Sequence, residues 1–422
     1  MARQKPRTVT VNGRDYRWPA QPLVVVCCDG SEPAYMELAM DAGLMPNLRN
    51  IIASGENLRG TSAMPSFTNP NNLSIVTGRP PSWHGICGNY FIDPQTGHEV
   101  MMNDPKWLRA PTIFAEFQQA GATVAVITAK DKLRLLLGKG LVFDGTAICF
   151  SSEQANKATM TANGIADVCE FAGMPVPEVY SAGLSEFVLA AGVKLLRLKR
   201  PDLMYLSTTD YIQHKFPPGS AGANEFYLML DRYLCQLDEA GAVVVITADH
   251  GMKDKHLANG EPDVLYLQDE LDKLFGSDTT QVILPITDPY VLHHGALGSF
   301  ATVYLKGVQL DEVAAAVRHM QGIDVVLDRK SASRRFDLPE DRIGDLVVIS
   351  GGASATKVIG SRRTNHNLSA LTEPLRSHGG LSEQEIPIIT NRKTVGLHKN
   401  LRNFDAFAIG CNHIAEFAAA AE

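Results

Sequence analysis

The chain has 422 residues, 45% hydrophobic and 20% charged, a globular composition that excludes a disordered or collagen-like polypeptide. Against 39 Lys and Arg stand 46 Asp and Glu, so the net charge of −7 excludes the basic field that drives non-specific nucleic-acid binding. Seven cysteines without a CxxC pair argue against a disulfide framework and against a thiolate zinc site, and no stretch approaches ~20 uninterrupted apolar residues. A soluble, cytoplasmic protein is expected, with no nucleic-acid or membrane partner and with its oligomeric state open, a homodimer among the options. The length predicts two or three structural units, or one large core carrying an insertion.

LVVVCCDG at 23–30 predicts a buried strand, and AYMELAMDAGLMPNLRNIIASG at 34–55 predicts a helix ended by Gly55. The segment from Pro65 to Gly78 predicts a loop feeding a short helix, with Thr68 as N-cap, Pro70 in the first turn and Gly78 at the end. A helix containing TIFAEFQQAG leads into the strand ATVAVITA at 122–129; DLMYLSTTD at 202–210 is a further strand, and AVVVITADHG at 242–251 follows the helix EFYLMLDRYLCQLDEAG. Near-continuous apolar strands of this kind predict a mostly parallel sheet sandwiched by helices, an α/β fold. From 256 to 365 the texture changes to SFATVYL, LDEVAAAVRHM, DVVLD and GDLVVIS, which predicts an inserted α+β cap. HGGLSEQEIPIIT then returns to strand character, so residues 1–255 and 366–422 are expected to form one metal-binding core.

Each core strand ends in a polar cluster, and in open α/β sheets ligands bind beyond the carboxyl ends of the strands. Asp29, Asp210, His214, Asp249, His250 and His378 offer three carboxylates and three imidazoles, a donor set suited to two divalent ions such as zinc, with manganese or iron as alternatives. Asp210-x-x-x-His214 spaces two ligands toward one ion where a strand turns into a helix, although the motif alone is weak. In Asp249-His250-Gly251, adjacent side chains can splay toward two metals while Gly permits a sharp turn. Thr68 reads as a plain cap, or as a hydroxyl at a helix N-terminus, where anions bind, acting as a nucleophile aimed at phosphorus.

Taken in order, Asp29-Gly30, Pro65-x-x-Thr68-x-Pro70 running to Thr77-Gly78 and His84-Gly85, Asp210-x-x-x-His214, Asp249-His250-Gly251-Met252 and Ser377-His378-Gly379-Gly380 resemble the alkaline phosphatase superfamily. The matching branch contains nucleotide pyrophosphatase/phosphodiesterases and phosphonoacetate hydrolase. The resemblance implies an alkaline-phosphatase-like fold and two zinc sites, one made by Asp210, His214 and His378, the other by Asp29, Asp249, His250 and the hydroxyl of Thr68, which doubles as the nucleophile. It also implies that Asn89 hydrogen-bonds a phosphoryl oxygen, a residue that otherwise reads as a turn residue after Gly88.

Lys130 and Lys132, two apart after ATVAVITA, read either as solvated loop residues or as a clamp for a second anionic group on the substrate. A small anionic phosphonate, phosphonoacetate, has such a group, and the expected reaction is cleavage of its C–P bond through a phospho-threonine. A phosphodiesterase or nucleotide pyrophosphatase, a phosphomonoesterase and a non-catalytic metal-binding protein are the alternatives. No role is read for His256, His293 or His294.

Overall fold

A computed structural model of the chain describes residues 7–288, 295–351 and 356–418. In chain order its principal strands are β1 (Leu23–Cys27), β2 (Glu56–Thr61), β3 (Val124–Thr128), β4 (Ala147–Ser151), β5 (Leu203–Ser207), β6 (Val243–Thr247), β7 (Thr280–Ile283), β8 (Phe300–Leu305), β9 (Ile323–Asp328), β10 (Leu346–Ser350) and β11 (Glu385–Thr390). Seven of them form one sheet in the order β2-β11-β6-β1-β5-β3-β4. The pairs from β6 to β4 are parallel, whereas β11 runs antiparallel to both β6 and β2.

Every residue of β1, β3, β4, β5 and β6 is buried. The reason is the two-residue period: Val25, Tyr205 and Val245 enter one core, and Val24, Met204 and Val244 enter the other. Full burial of a Val or Leu side chain is worth roughly 1.5–3 kcal/mol, so both faces of these strands must be covered by apolar surface. Helices α1 (Pro33–Asp41), α2 (Pro46–Ser54), α6 (Gly183–Lys199) and α8 (Ala221–Glu239) contribute to the second core; α3 (Thr68–Thr77), α4 (Ile113–Gln119) and α5 (Asp131–Leu137) contribute to the first. Between α6 and α8 lies the short helix α7 (Tyr211–Lys215).

The single helix expected over 34–55 is two helices. Proline lacks an N–H and disfavours helical backbone in the residue before it, and Pro46 accordingly opens α2 instead of continuing α1. The orphan N–H groups at the start of α2 are taken by the buried Asp231 of α8, whose Oδ1 accepts from Leu48 at 2.7 Å and whose Oδ2 accepts from Asn47 at 3.2 Å.

Strands β7, β8, β10 and β9 form a second, antiparallel sheet in that order. The helix α9 (Leu310–Arg318) supplies Val313, Ala314 and Val317 to its core, together with Val303 and Val347. That cluster is continuous with the first core of the main sheet through Phe67 and Phe300, whose rings meet edge to face at 6.3 Å. Among the described residues no helix is long and apolar enough to cross a membrane.

Candidate metal centre and substrate pocket

Because β6, β1, β5 and β3 are adjacent and parallel, their carboxyl ends discharge side by side. Asp29 follows β1, Asp210 immediately precedes α7 after β5, and Asp249 and His250 follow β6. The turn after β1 is fixed by Gly30, which has φ +67° and sits where a Cβ would come 2.9 Å from the Asp210 Cβ. His378 arrives from a different part of the chain, directly after the segment Arg376–Ser377 that pairs with Lys253–Asp254 beyond β6.

The three imidazoles are held alike. Nδ1 of His214 lies 2.8 Å from the carbonyl of Arg376, that of His378 2.7 Å from the carbonyl of Ser66, and that of His250 2.9 Å from the carbonyl of Gly251. A carbonyl only accepts, so each Nδ1 carries the proton and each Nε2 presents a lone pair. Those lone pairs face carboxylates: His214 Nε2 is 2.9 Å and His378 Nε2 3.7 Å from Asp210 Oδ2, and His250 Nε2 is 3.3 Å from Asp29 Oδ1. Lone pair against carboxylate is repulsive unless a cation lies between them, and Asp29 Oδ1 is buried with no hydrogen-bond donor of its own. The donor set therefore fits divalent metal ions. Two groups of mutually close donors result, Asp210 with His214 and His378, and Asp29 with Asp210 and His250. Asp249 falls in neither group, but its Oδ2 lies 3.7 Å from His250 Nε2, while its Oδ1 accepts the N–H of Gly30 at 3.2 Å and of His250 at 3.0 Å.

The electrostatics agree with a cation-seeking site. Burial, followed by the charges of Asp210 and Asp249, pushes the Asp29 carboxyl well above its usual range, and burial also raises Asp249. At Asp210 burial acts upward but is outweighed when the facing rings of His214, His378 and His250 carry positive charge, which holds the carboxyl well below its usual value; with the rings neutral, a bound cation takes that place. Burial and the neighbouring rings of His250 and His214 hold His378 well below an ordinary imidazole. His250 and His378 stack with ring centroids 3.7 Å apart, a contact that two imidazolium ions would oppose.

Thr68 is not the N-cap. Phe67 occupies that position, Thr68 is the first residue of α3, and its Oγ1 lies 3.2 Å from His250 Nε2. The hydroxyl is turned into the donor cluster, and Asn72, one turn on, donates its side-chain amide to the Thr68 carbonyl at 3.0 Å. The same amide group donates to Asp249 Oδ2 at 3.1 Å, while Asn72 Oδ1 accepts from Tyr205 and Ser207.

Beyond Thr68 opens a cavity of about 160 Å³, lined by a carboxylate–imidazole group, Asp29, Asp210 and His378, by a lysine group, Lys130 and Lys132, and by Asn89. All the residues expected at the site except Asp249 and His250, which lie beneath it, reach this cavity. Asn89 donates its amide to the carbonyl of Ile286 at 3.3 Å. Lys130 donates to the carbonyl of Val179 at 3.2 Å, its ammonium lies 5.7 Å from the centre of the Tyr180 ring, and burial lowers its pKa. Lys132 pairs with both oxygens of Asp288, at 2.8 and 3.0 Å. His256 sits apart, its Nδ1 against the carbonyl of Leu257. His293 and His294 lie outside the described residues.

Sequence reading missed the supports. Asn72 lies inside a segment already explained as a helix start, and Asp288 follows a strand of the second sheet. Lys255 and Glu383 form an ion pair with both side chains fully buried. Glu383 also accepts the N–H of Gly380 through Oε2 at 2.8 Å, and its carbonyl accepts the N–H of Gly251 at 2.7 Å. One residue thus ties the His250 and His378 loops together. The signal was the combination of charge with a position where the chain must be buried, visible only once the two loops meet.

The family model of type I phosphodiesterase / nucleotide pyrophosphatase matches residues 23–356. A phosphonoacetate hydrolase of Sinorhizobium meliloti, solved in complex with phosphonoformate and with phosphonoacetate, is 61% identical, covers 97% of this chain and 99% of its own, and superposes with a TM-score of 0.93. Murine ectonucleotide pyrophosphatase/phosphodiesterase 5 shares the fold at 18% identity, with a TM-score of 0.63 over 93% of this chain and 94% of that one. An uncharacterized pyrophosphatase/phosphodiesterase of Schizosaccharomyces pombe is 34% identical over 93 residues, 21% of this chain and 18% of that protein, so the match spans less than a fifth of the relative's length. With the donor cluster, the sheet order and these matches in agreement, the chain belongs to the type I phosphodiesterase/nucleotide pyrophosphatase family, within the alkaline phosphatase superfamily.

Proposed function

We propose that this chain is a zinc-dependent hydrolase that cleaves the C–P bond of phosphonoacetate, giving acetate and phosphate through a phospho-threonine at Thr68. The observation that carries the reading is the lysine pair sharing one small cavity with Thr68, in a chain 61% identical to a phosphonoacetate hydrolase. Cavities that take drug-sized ligands run to ~300–1,000 Å³, so a cavity of about 160 Å³ favours a small dianion or trianion over a nucleotide.

Asp210, His214 and His378 would hold one zinc ion, and Asp29, Asp249, His250 and the Thr68 hydroxyl the other. Bound there, the two ions would supply Lewis acidity, lowering the pKa of the Thr68 hydroxyl and neutralising phosphoryl charge. Thr68 Oγ1 attacks phosphorus in line, the O–P bond forms, and the C–P bond breaks with its electron pair passing to the methylene carbon. That charge delocalises into the adjacent carboxylate, where Lys130 and Lys132 meet it as it develops. A preorganised donor in such a position is worth ~3 kcal/mol of barrier. Asn89 orients a phosphoryl oxygen. The carbanion takes up, through solvent, the proton released by Thr68, and one water hydrolyses the phospho-threonine to restore the hydroxyl.

Residues 256–365 act in this reading as a cap that keeps bulk water from the carbanion-like transition state, over a core of residues 1–255 and 366–422. The partner is a small phosphonate, not nucleic acid or a membrane, and the setting is the cytoplasm. A homodimer is compatible with all of these assignments. Purified chain loaded with zinc is expected to release phosphate and acetate in equal amounts from phosphonoacetate. Faster turnover of p-nitrophenyl nucleotide esters than of phosphonoacetate would assign the site to the phosphodiesterase reading instead.

A further inference from the structure

The lysine end of the cavity contains an acid that the proposed reaction does not use. Asp288 holds the Lys132 ammonium with both carboxylate oxygens, and its side chain is only 14% exposed. Like the lysines it lines the cavity.

Asp288 is also held in place by its own chain segment. The stretch from Leu284 to Asp288 leaves β7 and closes a turn in which the Thr287 N–H meets the Leu284 carbonyl at 2.9 Å. Pro285 accepts the Asn89 N–H at 2.7 Å, and Ile286 accepts the Asn89 side-chain amide. At Gly88 a Cβ would fall 2.5 Å from the Pro285 Cβ, so the two segments are pressed together. One stretch of chain from the second sheet therefore braces both Asn89 and Lys132.

The charges at this end can be counted. Lys132 and Asp288 form a neutral pair, and Lys130 goes to the carbonyl of Val179. Glu153, the carboxylate beside Lys130, accepts the Asp131 N–H through Oε2 at 2.8 Å and keeps its negative charge, which acts on Lys130. Lys130 and Lys132 stand against Glu153 and Asp288, so this end carries no net charge; without Asp288 it would carry one positive charge able to attract a second anionic group, whereas with it that second group faces a carboxylate at close range.

Building on the phosphonoacetate reading, we propose that Asp288 is a specificity-determining residue that restricts the substrate tail to a single carboxylate. It does so by rejecting tails of higher negative charge, an element of repulsion built beside the attractive lysines.

Phosphorus NMR titration of the zinc-loaded full chain measures the dissociation constants of phosphonoformate, whose tail is one carboxylate, and phosphonosuccinate, whose tail carries two. Comparing each variant with the wild type cancels the difference in ligand size. In Asp288→Asn the ratio of the phosphonosuccinate constant to the phosphonoformate constant is expected to fall about tenfold, the effect of removing one nearby like charge. Asp288→Glu, which keeps the charge, is expected to hold the wild-type ratio within about twofold. A fall of less than about threefold in Asp288→Asn, or an equal fall in Asp288→Glu, overturns the assignment. Thermal midpoints of the variants show whether either has lost its fold, and Asp288→Glu then serves as the folded reference. Failure of the underlying reading has a separate signature: the wild-type chain binds neither anion and leaves phosphonoacetate intact.

Discussion

The two ends of the cavity are built by different means. At the carboxylate–imidazole end, ring orientation is set by main-chain carbonyls, and the Asp249 carboxylate is held by the main-chain N–H groups of Gly30 and His250 and by the Asn72 amide, with His250 and Asp249 wholly buried. At the lysine end, the flexible Lys132 is placed by another side chain, and it remains 33% exposed. Main-chain partners move only if an element moves, whereas a lysine placed by a carboxylate can be redirected by one substitution. In the proposed reaction, the chemistry at phosphorus falls to the rigid end and discrimination between substrates to the adjustable one.

That division predicts indiscriminate losses at one end and selective losses at the other. Thr68→Ala is expected to lower turnover at least ~1,000-fold on phosphonoacetate and on an aryl phosphate alike, with metal content retained by elemental analysis. A variant that kept near-normal rates on either substrate would remove Thr68 from the nucleophile role. Removal of metal by a chelator is expected to abolish both activities, and addition of zinc to restore them. At the other end, Lys130→Ala and Lys132→Ala should each cost ~10- to 100-fold in kcat/KM on phosphonoacetate but less than ~3-fold on an aryl phosphate. Equal losses on the two substrates would erase the distinction between the ends.

The smallest effect concerns an imidazole outside the cavity. His84 is buried, accepts the Ile86 N–H at Nδ1 and contacts Ser74 Oγ through Nε2 at 2.9 Å, the opposite tautomer to that of the three site rings. Burial, assisted by the Arg342 charge, lowers its pKa to about 3. The unfolded chain, with an ordinary histidine near ~6.5, binds this proton first, so the folded state loses stability as pH falls below that value. Between pH 7 and pH 5 the loss amounts to ~2 kcal/mol. Denaturation at the two pH values should show a drop smaller by about that amount in His84→Asn than in the wild type. An identical drop in the variant would show that His84 is not the group responsible.

The parallel strands were legible in the sequence because burial on both faces writes a continuous apolar run, and the acidic residues of the candidate site follow closely on these runs, as Asp29 follows Cys27 and Asp249 follows Thr247. The break at Pro46 was legible in principle, but the apolar positions on either side kept a helical period across it. The placement of Thr68 was misjudged by one residue because Phe67 can take the N-cap backbone without offering a side-chain bond. Asn72, Asp288 and the Lys255–Glu383 pair were not legible: their partners lie 177, 156 and 128 residues away, and no local spacing records such distances.

The position of β11 bears on how the protein is made. This strand lies between β6 and β2, and His378 comes before it in the chain, separated from Glu385 by the short turn Leu381–Glu383. A ribosome delivers every other member of the donor cluster, together with the lysine pair and Asp288, before it delivers His378 and the strand that joins β2 to the rest of the sheet. During synthesis the edge of β6 therefore waits, exposed, for a segment from beyond the second sheet. The complete set of candidate donors comes together only once the segment carrying His378 has emerged.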